Sequence, residues 1–452
     1  MTESEIREYI ASHRERQPGI KILWGHPSPR FWTPRSLSLR EIAALRRPER
    51  KLVVYLHIPF CPKTDPPACG FCLFAREDYS GNTAVEKYLD FLRREIEMYA
   101  DVFRDDPVDC VYFGGGTPNV LRPADYARVM GWVRGAFRLT REAEVTLEGV
   151  PQLFDRERLE AMAKAGVTRI SIGAQVLDPR LLRFSGRQHT AEHVFDAVDG
   201  AHRLGMSANV DLICGWFEQT PQDVESDVRA LLPHAPESVI VHLLTLTGPS
   251  PFAQESSALP SVPVVREGFE RARRALVSNG YWNSSYIDFM LKDPPRGPAE
   301  VKYLRAYRES LAYDRIGLGC AASSLFAGTP DRPGMTWRNV TSTSGYYAGM
   351  DGRRPPVAEA FAFNALDLRL LYVLKGLEGT PSLDAFDYRR LFSRDLAEDF
   401  AGYWSVLQEL RWLTVEDRRH YRLQGEGIFH TALIQRCLSN DRNDELRGAS
   451  RA

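Results

Sequence analysis

The sequence lacks three features that would direct it to nucleic acid or to a membrane. Its 58 lysines and arginines are spread along 452 residues and nearly balance 59 aspartates and glutamates, so we expect no concentrated basic surface. No window contains the roughly 18 apolar residues that a membrane span requires. The N-terminus, MTESEIREYIASHRERQ, is charged and has no apolar signal-peptide core. We therefore expect a cytoplasmic protein with no nucleic-acid partner and no membrane partner.

Cysteine is also scarce. Seven cysteines, an odd number in a chain without an export signal, argue against a disulfide framework and favour a metal or redox use. Three of them, Cys61, Cys69 and Cys72, lie within twelve residues of each other. The other four are interpreted as ordinary buried residues.

Short β-branched runs alternate with amphipathic segments of helical period from Leu52 onward. The runs cover residues 52–58, 108–114, 144–150, 167–173, 207–213 and 237–244. This alternation predicts parallel strands with crossover helices. Six such units indicate an α/β fold built on a partial (β/α)6 barrel. We expect a lead-in over residues 1–50, the barrel over 51–290 and a mostly helical C-terminal domain over 291–452.

The loop HIPFCPKTDPPACGFCLF contains the three clustered cysteines with the spacing C-x7-C-x2-C. Its prolines and glycine suit a backbone that wraps round a compact group without forming a helix. Three cysteines can hold an iron–sulfur cluster that keeps one iron free of protein ligands. With His57 as a fourth ligand they could instead hold zinc. The loop alone leaves both interpretations open.

A glycine-rich turn, YFGGGTPNVL, follows the second predicted strand. Gly114, Gly115 and Gly116, followed by Thr117, predict backbone amides that approach an anionic ligand closely. Chemistry in such folds gathers at the carboxyl ends of parallel strands. The glycine turn and the cysteine loop are therefore expected to form one site.

The motifs YLHIPFC, CGFC, FGGGTP, RISIGAQ, GRQH and NVDLICG follow one another in this order. Together they resemble the radical S-adenosylmethionine (SAM) enzymes of the HemN-like group. That group includes the oxygen-independent coproporphyrinogen III oxidases, the haem chaperone HemW and the class C radical SAM methyltransferases. The resemblance extends to the C-terminal region, where RIGLGCAASS also fits. It implies a radical SAM barrel followed by a HemN-like C-terminal domain.

The resemblance also implies cofactors and their contacts. Cys61, Cys69 and Cys72 match the ligands of a 4Fe-4S cluster, whose free iron chelates SAM. Tyr55, Gly115 and Glu148 match contacts to that SAM. A second SAM is implied by a further set of positions: Phe71, Gly116, Thr117, Gln175, Arg187, Asp211 and Thr245. Ser323, in the GLGCAAS segment, is a further expected contact to the second SAM.

Three of these side chains also have a simpler interpretation. Glu148 could be a solvated carboxylate at a strand end. Arg187 and Asp211 could form a salt bridge with each other inside the barrel. His189 and His193 have metal-binding spacing, but without a third ligand nearby they are interpreted as surface or capping residues.

Two departures from the group bear on the reaction. The first two cysteines are separated by seven residues where the group has three, and Leu73 and Phe74 follow Cys72 where coproporphyrinogen oxidases carry another cysteine. The sequence therefore favours a tailoring enzyme that uses two SAM molecules. It would transfer a methyl or methylene group to an sp2 carbon of a small natural product, giving methylation or cyclopropanation.

Two alternatives remain open. One is oxidative decarboxylation of the coproporphyrinogen III oxidase type, and the other is a HemW-like haem chaperone. The resemblance further implies a small-molecule substrate and an electron donor such as flavodoxin or ferredoxin.

Overall fold

A computed structural model describes residues 1–15, 26–246, 250–253, 259–296, 301–350, 354–379 and 383–449. The strands in chain order are β1 (Thr33–Pro34), β2 (Lys51–Ile58), β3 (Phe60–Cys61), β4 (Glu77–Asp78), β5 (Pro107–Gly115), β6 (Arg138–Gly149), β7 (Arg169–Gln175), β8 (Ser207–Cys214), β9 (Ser238–Leu243), β10 (Tyr281–Asn283), β11 (Asp288–Leu291), β12 (Tyr313–Leu318), β13 (Ser323–Gly328), β14 (Pro333–Asn339), β15 (Val357–Ala362), β16 (Leu383–Asp384), β17 (Leu413–Glu416) and β18 (His420–Leu423). The helices are α1 (Glu3–His13), α2 (Leu39–Leu45), α3 (Asn82–Phe103), α4 (Pro123–Ala136), α5 (Arg156–Ala165), α6 (Pro179–Phe184), α7 (Ala191–Arg203), α8 (Pro221–Leu231), α9 (Val262–Val277), α10 (Lys302–Arg308), α11 (Thr343–Met350), α12 (Ala365–Gly376), α13 (Ala385–Phe392), α14 (Leu396–Asp399), α15 (Ala401–Glu409), α16 (Glu426–Phe429), α17 (Thr431–Leu438) and α18 (Asn440–Ala449).

The main sheet has thirteen strands in the order β1-β15-β14-β13-β12-β2-β5-β6-β7-β8-β9-β11-β10. Its six central strands, from β2 through β9, pair in parallel with their neighbours. These are the six strands that the sequence predicts, so the partial (β/α)6 barrel is confirmed. A seventh parallel strand, β12, pairs with the outer side of β2.

Local sequence explains why these segments form strands and helices. Every residue of β8 is buried, as expected for a parallel strand covered on both faces. The next helix, α8, begins at a capping box in which the Thr220 hydroxyl accepts a hydrogen bond from the Asp223 amide. Pro221 occupies its first turn, where no amide donor is needed. This cap fixes where α8 begins after β8.

The C-terminal segment first extends the sheet and then becomes helical. Strands β12 to β15 continue the barrel sheet without a break, and helices predominate after residue 364. The β17–β18 hairpin lies within this helical region. The C-terminal helical region is confirmed, while the proposed domain limits at 50 and 290 stay a prediction.

The lead-in packs on both parts of the chain. Ile6 and Ile10 of α1 belong to the apolar core of the C-terminal helices, and β1 pairs with β15. Ile42 of α2 is buried in the core of the barrel. Among the described helices, none combines the length and the apolar composition of a membrane span.

Candidate active site

The cysteine loop has a backbone that turns sharply at its second ligand. Ala68, Cys69 and Gly70 have positive φ angles of 58°, 51° and 78°. Three left-handed residues in succession reverse the chain within one turn, a conformation that costs energy for residues other than glycine. Gly70 also packs so tightly that a Cβ there would lie 2.2 Å from the Phe252 ring. The loop is therefore held in one shape by both its backbone and its packing.

The four extra residues between Cys61 and Cys69 have defined partners. The Thr64 hydroxyl accepts a hydrogen bond of 3.2 Å from the Cys69 amide. The Gln188 side chain donates a hydrogen bond of 3.4 Å to the Lys63 carbonyl. A Cβ on Gly186 would lie 2.2 Å from the Asp65 carbonyl oxygen. The longer loop thus lies against the GRQH segment that follows α6.

The three cysteines line one cavity of about 140 Å³, which we call the cluster chamber. Its other lining residues come from the carboxyl ends of the barrel strands and from the GRQH segment: Gly115, Gly116, Thr117, Glu148, Gly173, Gln175, Arg187 and His189. The structure therefore brings the cysteine loop and the glycine turn to one site, as the sequence predicts.

Two of the sulfurs accept hydrogen bonds. The Thr117 hydroxyl donates to Cys61 Sγ over 3.3 Å, and an Arg187 Nη donates to Cys69 Sγ over 3.7 Å. Burial raises the pKa of Cys61, against the opposing effect of Thr117. Burial also raises the pKa of Cys72, to about 11. Thiols in this position become thiolates only beside a cationic group, which is the environment that a metal centre supplies.

The donor set fits a cluster better than a zinc ion. Within the described ranges, no three His, Cys, Asp or Glu side chains converge closely enough to hold a single ion. A cube of four irons is larger than one ion, so its three ligands stand farther apart round a cavity. His57 Nε2 donates its hydrogen bond to the Ala75 carbonyl over 3.1 Å, and burial lowers the His57 pKa to about 4. His57 therefore does not complete a zinc site.

The glycine turn works differently from the prediction. The Gly116 amide donates a hydrogen bond of 2.8 Å to the Ile58 carbonyl, and the Thr117 amide donates one of 2.8 Å to the Phe60 carbonyl. Neither amide therefore points to a ligand. Gly115 has a φ of 108°, and a Cβ there would lie 2.6 Å from the His57 ring. The glycines are needed so that β5 can approach the segment that leads to Cys61.

A larger cavity of about 390 Å³, the barrel chamber, lies inside the strands next to the cluster chamber. The two cavities share the lining residues Phe71, Cys72, Phe74, Gly115, Glu148 and Gln175. The barrel chamber is further lined by aromatic rings and by two arginines: Tyr55, Tyr112, Tyr286, Tyr303, Tyr307, Arg169 and Arg315. A molecule in the barrel chamber would therefore be adjacent to one bound at the cysteines.

Glu148 lies at the junction of the two chambers. Its Oε2 accepts a hydrogen bond of 3.5 Å from the Tyr112 hydroxyl. Burial, together with the nearby Asp211 carboxylate, raises the Glu148 pKa to about 8. The alternative of a solvated strand-end carboxylate does not fit this environment. A cationic ligand would stabilise the ionised form, as expected for a contact to the SAM ammonium group.

The residues expected to bind a second SAM divide between the chambers. Five of them line the barrel chamber: Phe71, Gln175, Asp211, Thr245 and Ser323. Gly116, Thr117 and Arg187 line the cluster chamber alone. Of the three residues expected beside the first SAM, Tyr55 lines the barrel chamber, while Gly115 and Glu148 line both.

Arg187 and Asp211 do not form the salt bridge that was the simpler alternative. Arg187 donates to the Gly173 carbonyl and to Cys69. Asp211 accepts hydrogen bonds from Ser171 and Asn209 over 3.1 and 2.8 Å. Because the two side chains are not paired with each other, Arg187 can contact a ligand in the cluster chamber and Asp211 can contact one in the barrel chamber.

Three residues that line the chambers have a buried polar atom with no hydrogen-bond partner in the described part of the chain. These atoms are Arg187 Nε and His189 Nε2 in the cluster chamber and Ser323 Oγ in the barrel chamber. Such atoms are costly to bury unless a ligand or water bonds to them. His189, expected at the surface, is buried, whereas His193 caps α7 through Thr190 as predicted.

Apart from Tyr55, sequence reasoning missed the tyrosines of the barrel chamber, and it missed both of its arginines. Arg169 alternates with Ser171 and Gln175 along β7, so the two-residue period of a strand could have placed it inside. Arg315 had no such signal, because β12 was not predicted to join the barrel sheet.

Comparison with known proteins agrees with this geometry. Residues 55–231 match the sequence profile of the Radical SAM superfamily. The oxygen-independent coproporphyrinogen III oxidase of Salmonella typhimurium is 27% identical over 382 residues, which cover 81% of this chain and 80% of that protein. Heme chaperone HemW of Escherichia coli is 28% identical over 272 residues, which cover 60% of this chain and 69% of that protein.

One solved structure of similar fold is that of coproporphyrinogen III oxidase (HemN) from Escherichia coli, described as a radical SAM enzyme. It superposes with a TM-score of 0.78 over 92% of this chain and 96% of that chain, with 24% sequence identity. At this identity the likeness shows the fold. The motif order, the cysteine-lined cavity and the sequence matches agree on the family. Residues 55–231 are a radical SAM domain, and the chain as a whole is similar to the HemN-like group of that superfamily.

Proposed function

We propose that the chain removes a hydrogen atom from a small organic substrate in the barrel chamber, in an oxidative decarboxylation of the coproporphyrinogen III oxidase type. The substrate radical then loses carbon dioxide and gives up one electron to a one-electron acceptor. The observation that carries this proposal is the direct junction of the two chambers at Phe71, Glu148 and Gln175. A substrate on one side of this junction would lie next to a cofactor on the other. Hydrogen abstraction requires that proximity.

Each part of the site has a separate task in this proposal. Cys61, Cys69 and Cys72 would hold a 4Fe-4S cluster, which supplies the electron for reductive cleavage of SAM when both are bound. Glu148 would accept a hydrogen bond from the SAM ammonium group. Arg187, expected at a second SAM but lining the cluster chamber alone, would orient the carboxylate end of this SAM. The aromatic walls of the barrel chamber exclude water from the reacting carbon.

Sequence similarity favours decarboxylation over methyl transfer. The similarity to coproporphyrinogen III oxidases covers about four fifths of both chains, whereas the similarity to HemW covers 60% of this chain. Leu73 and Phe74 argue against decarboxylation, because coproporphyrinogen III oxidases carry a further cysteine at this point after Cys72. Both side chains line the barrel chamber, and Phe74 lines the cluster chamber as well, so they would alter the shape of the substrate site.

Methyl or methylene transfer with two SAM molecules is a second candidate. It is supported by the five expected second-SAM residues that line the barrel chamber, among them Ser323, whose buried hydroxyl has no partner in the described part of the chain. A SAM there would satisfy that hydroxyl. The substrate would then have to share the barrel chamber with it.

Anaerobic reconstitution with iron, sulfide, dithionite, SAM and coproporphyrinogen III tests the proposal. We expect a product that has lost carbon dioxide, together with 5'-deoxyadenosine, both measured by mass spectrometry. Cys69→Ser should abolish both, while Cys437→Ser, a buried cysteine remote from the chambers, should not. S-adenosylhomocysteine or methylthioadenosine as a co-product would instead favour methyl transfer. Stable haem binding without SAM consumption would favour a chaperone and contradict the proposal.

A further inference from the structure

We propose that Arg169 and Arg315 form an anion-binding floor in the barrel chamber, which binds the carboxylate group of an organic acid. The inference rests on the proposed function in one respect, namely that the acid is a reactant of this site. It assigns binding roles to two residues that the sequence motifs do not mark.

Arg169 is a buried cation with no acidic partner among the described residues. Only 4% of it is exposed, and it lines the barrel chamber. One Nη donates a hydrogen bond of 2.7 Å to Ser238 Oγ, which in turn donates to Asn209 Oδ1 over 2.8 Å. No carboxylate among the described residues forms an ion pair with it. A guanidinium has five N–H donors, so most of its capacity is left for a ligand.

Arg315 reaches the same chamber from the neighbouring side of the sheet. Its Cζ lies 6.0 Å from the centroid of the Tyr307 ring. The adjacent Asp314 does not neutralise it, because that carboxylate is paired with Arg50 over 3.1 Å. In the described ranges Arg315, like Arg169, forms no ion pair.

A pair of stacked tyrosines lies near both arginines. The rings of Tyr112 and Tyr303 are stacked with centroids 4.0 Å apart. Burial raises the pKa of Tyr112, and the charge of Arg169 opposes that rise. Burial raises the pKa of Tyr303 to about 12, and the charge of Arg315 opposes it. Each arginine is thus close to one ring of the stacked pair.

The acidic groups that line the barrel chamber do not cancel the two positive charges. Asp211 accepts hydrogen bonds from Ser171 and Asn209 and is not paired with either arginine. Glu148, with a pKa of about 8, is largely protonated at neutral pH. The chamber therefore has an excess of positive charge at its floor, which favours an anion.

The position of the arginines would orient such an anion. Arg169 is the first residue of β7, and Arg315 is opposite Val53 near the start of β2. Gln175, at the cluster chamber, is the sixth residue after Arg169, a rise of about 20 Å along the strand. An acid bound at the floor would extend its remaining atoms past the tyrosine rings toward the cysteines.

Carboxylate is the chemistry that suits this floor, because guanidinium groups bind it through paired N–H donors. The carboxylate could belong to the substrate or to the methionyl part of a second SAM. Removing an arginine distinguishes these two sources, because only the ligand that supplies the carboxylate then binds more weakly.

The first arm of the experiment uses reconstituted holoenzyme and two fluorescent probes, coproporphyrin III and its tetramethyl ester. If the substrate supplies the carboxylate, the free acid binds at least about 10-fold more tightly than the ester. Arg169→Gln and Arg315→Gln each lower the affinity for the acid by about 10- to 100-fold and leave the affinity for the ester unchanged. Arg156 is an exposed arginine paired with Glu160, and Arg156→Gln is expected to change neither affinity.

The second arm is a calorimetric SAM titration of the same proteins. If a second SAM supplies the carboxylate, the wild type binds two SAM molecules and each variant binds one. The proposal is overturned if both variants keep the acid affinity and SAM stoichiometry of the wild type. Equal weakening of acid and ester would also overturn it, because that result indicates a general loss of shape.

Arg315→Lys provides a variant that retains the charge but not the fork. We expect it to bind the acid with an affinity between those of the wild type and Arg315→Gln. Failure of the proposed reaction is recognised separately. If the acid binds in an arginine-dependent manner but no decarboxylated product forms, the anion-binding floor is supported and the proposed reaction is contradicted.

Discussion

The Thr117 hydroxyl donates a hydrogen bond of 3.3 Å to Cys61 Sγ. The amide of the same threonine donates to the carbonyl of Phe60, the residue before that cysteine. Thr117 was expected to contact a second SAM, but its hydroxyl is directed at a cluster ligand. Hydrogen bonds to ligand atoms orient them and tune the centre that they hold.

Thr117→Val removes that donor and nearly preserves the shape of the side chain. We expect cluster retention in the presence of a chelator, or SAM cleavage, to fall by about 10- to 100-fold. Iron content and 5'-deoxyadenosine formation measure the two effects. Thr140→Val is the control, because the Thr140 hydroxyl bonds to Asp109, away from both chambers. Equal behaviour of the two variants would show that the bond to Cys61 has no functional weight.

The Glu148 pKa of about 8 predicts a pH-dependent SAM affinity. Below pH 8 the carboxyl is protonated in the free enzyme and must lose its proton before it can bind a cationic ammonium group. The affinity should therefore rise with pH up to about 8 and then level off, by at most about tenfold per pH unit. Calorimetric titrations of the holoenzyme between pH 6 and pH 9 measure this slope.

SAM itself titrates in this range, so the comparison with a variant decides the matter. Glu148→Gln removes the ionisable group and should flatten the part of the slope that belongs to the protein. Glu160→Gln, on the exposed face of α5, should keep the wild-type slope. If Glu148→Gln and the wild type have parallel pH profiles, Glu148 does not bind the cationic end of SAM.

The sequence alone predicts most of the barrel because its strands are nearly continuous apolar runs. β8 is buried throughout and was predicted within one residue of its observed end. The cysteines were assigned correctly to one cavity, because the carboxyl ends of parallel strands meet at one edge.

The features of the site that the sequence did not predict depend on contacts between distant segments, and such contacts leave no local sequence pattern. Arg315 enters the barrel chamber only because β12 pairs with β2, more than 250 residues earlier. The amides of Gly116 and Thr117 were predicted to face a ligand, but the carbonyls of Ile58 and Phe60 occupy them. Local sequence specifies a turn, whereas the partner of each amide is set by tertiary packing.

A buried carboxyl group, Glu95, connects α3 to the start of the C-terminal strands. Its oxygens accept hydrogen bonds of 2.7 Å from the Gly319 amide, Asn339 Nδ2 and the Tyr346 hydroxyl. Burial raises the Glu95 pKa to about 7. Glu95→Ala would leave the Gly319 amide and the Tyr346 hydroxyl without this acceptor and would leave Asn339 Nδ2 with only the Gly319 carbonyl, so we expect a loss of about 3–5 kcal/mol in unfolding free energy.

Glu97 is the matched control for that substitution. It lies two residues further along the same helix, is exposed, and pairs with Arg93. Glu97→Ala should change the unfolding free energy by no more than about 0.5 kcal/mol. Denaturant titrations of both variants measure the difference, and similar midpoints would contradict the proposed weight of the Glu95 contacts.

Gly186 and Gly205 allow the contact of the longer cysteine loop to be isolated. Their φ angles are similar, at 66° and 76°, so an alanine at either position costs about 1–2 kcal/mol from the backbone alone. They differ in their surroundings. A Cβ on Gly186 would lie 2.2 Å from the Asp65 carbonyl oxygen, whereas a Cβ on Gly205 would meet nothing within 4 Å.

Gly186→Ala should therefore be less stable than Gly205→Ala by about 1–3 kcal/mol, the cost of overpacking. It should also retain less iron after reconstitution, because the next residue, Arg187, donates to Cys69 Sγ. A shift of this segment moves both the loop and that hydrogen bond. Thermal unfolding and iron content are measured for both variants. If they lose stability and iron equally, the contact with Asp65 does not support the cluster, and the four extra residues serve another purpose.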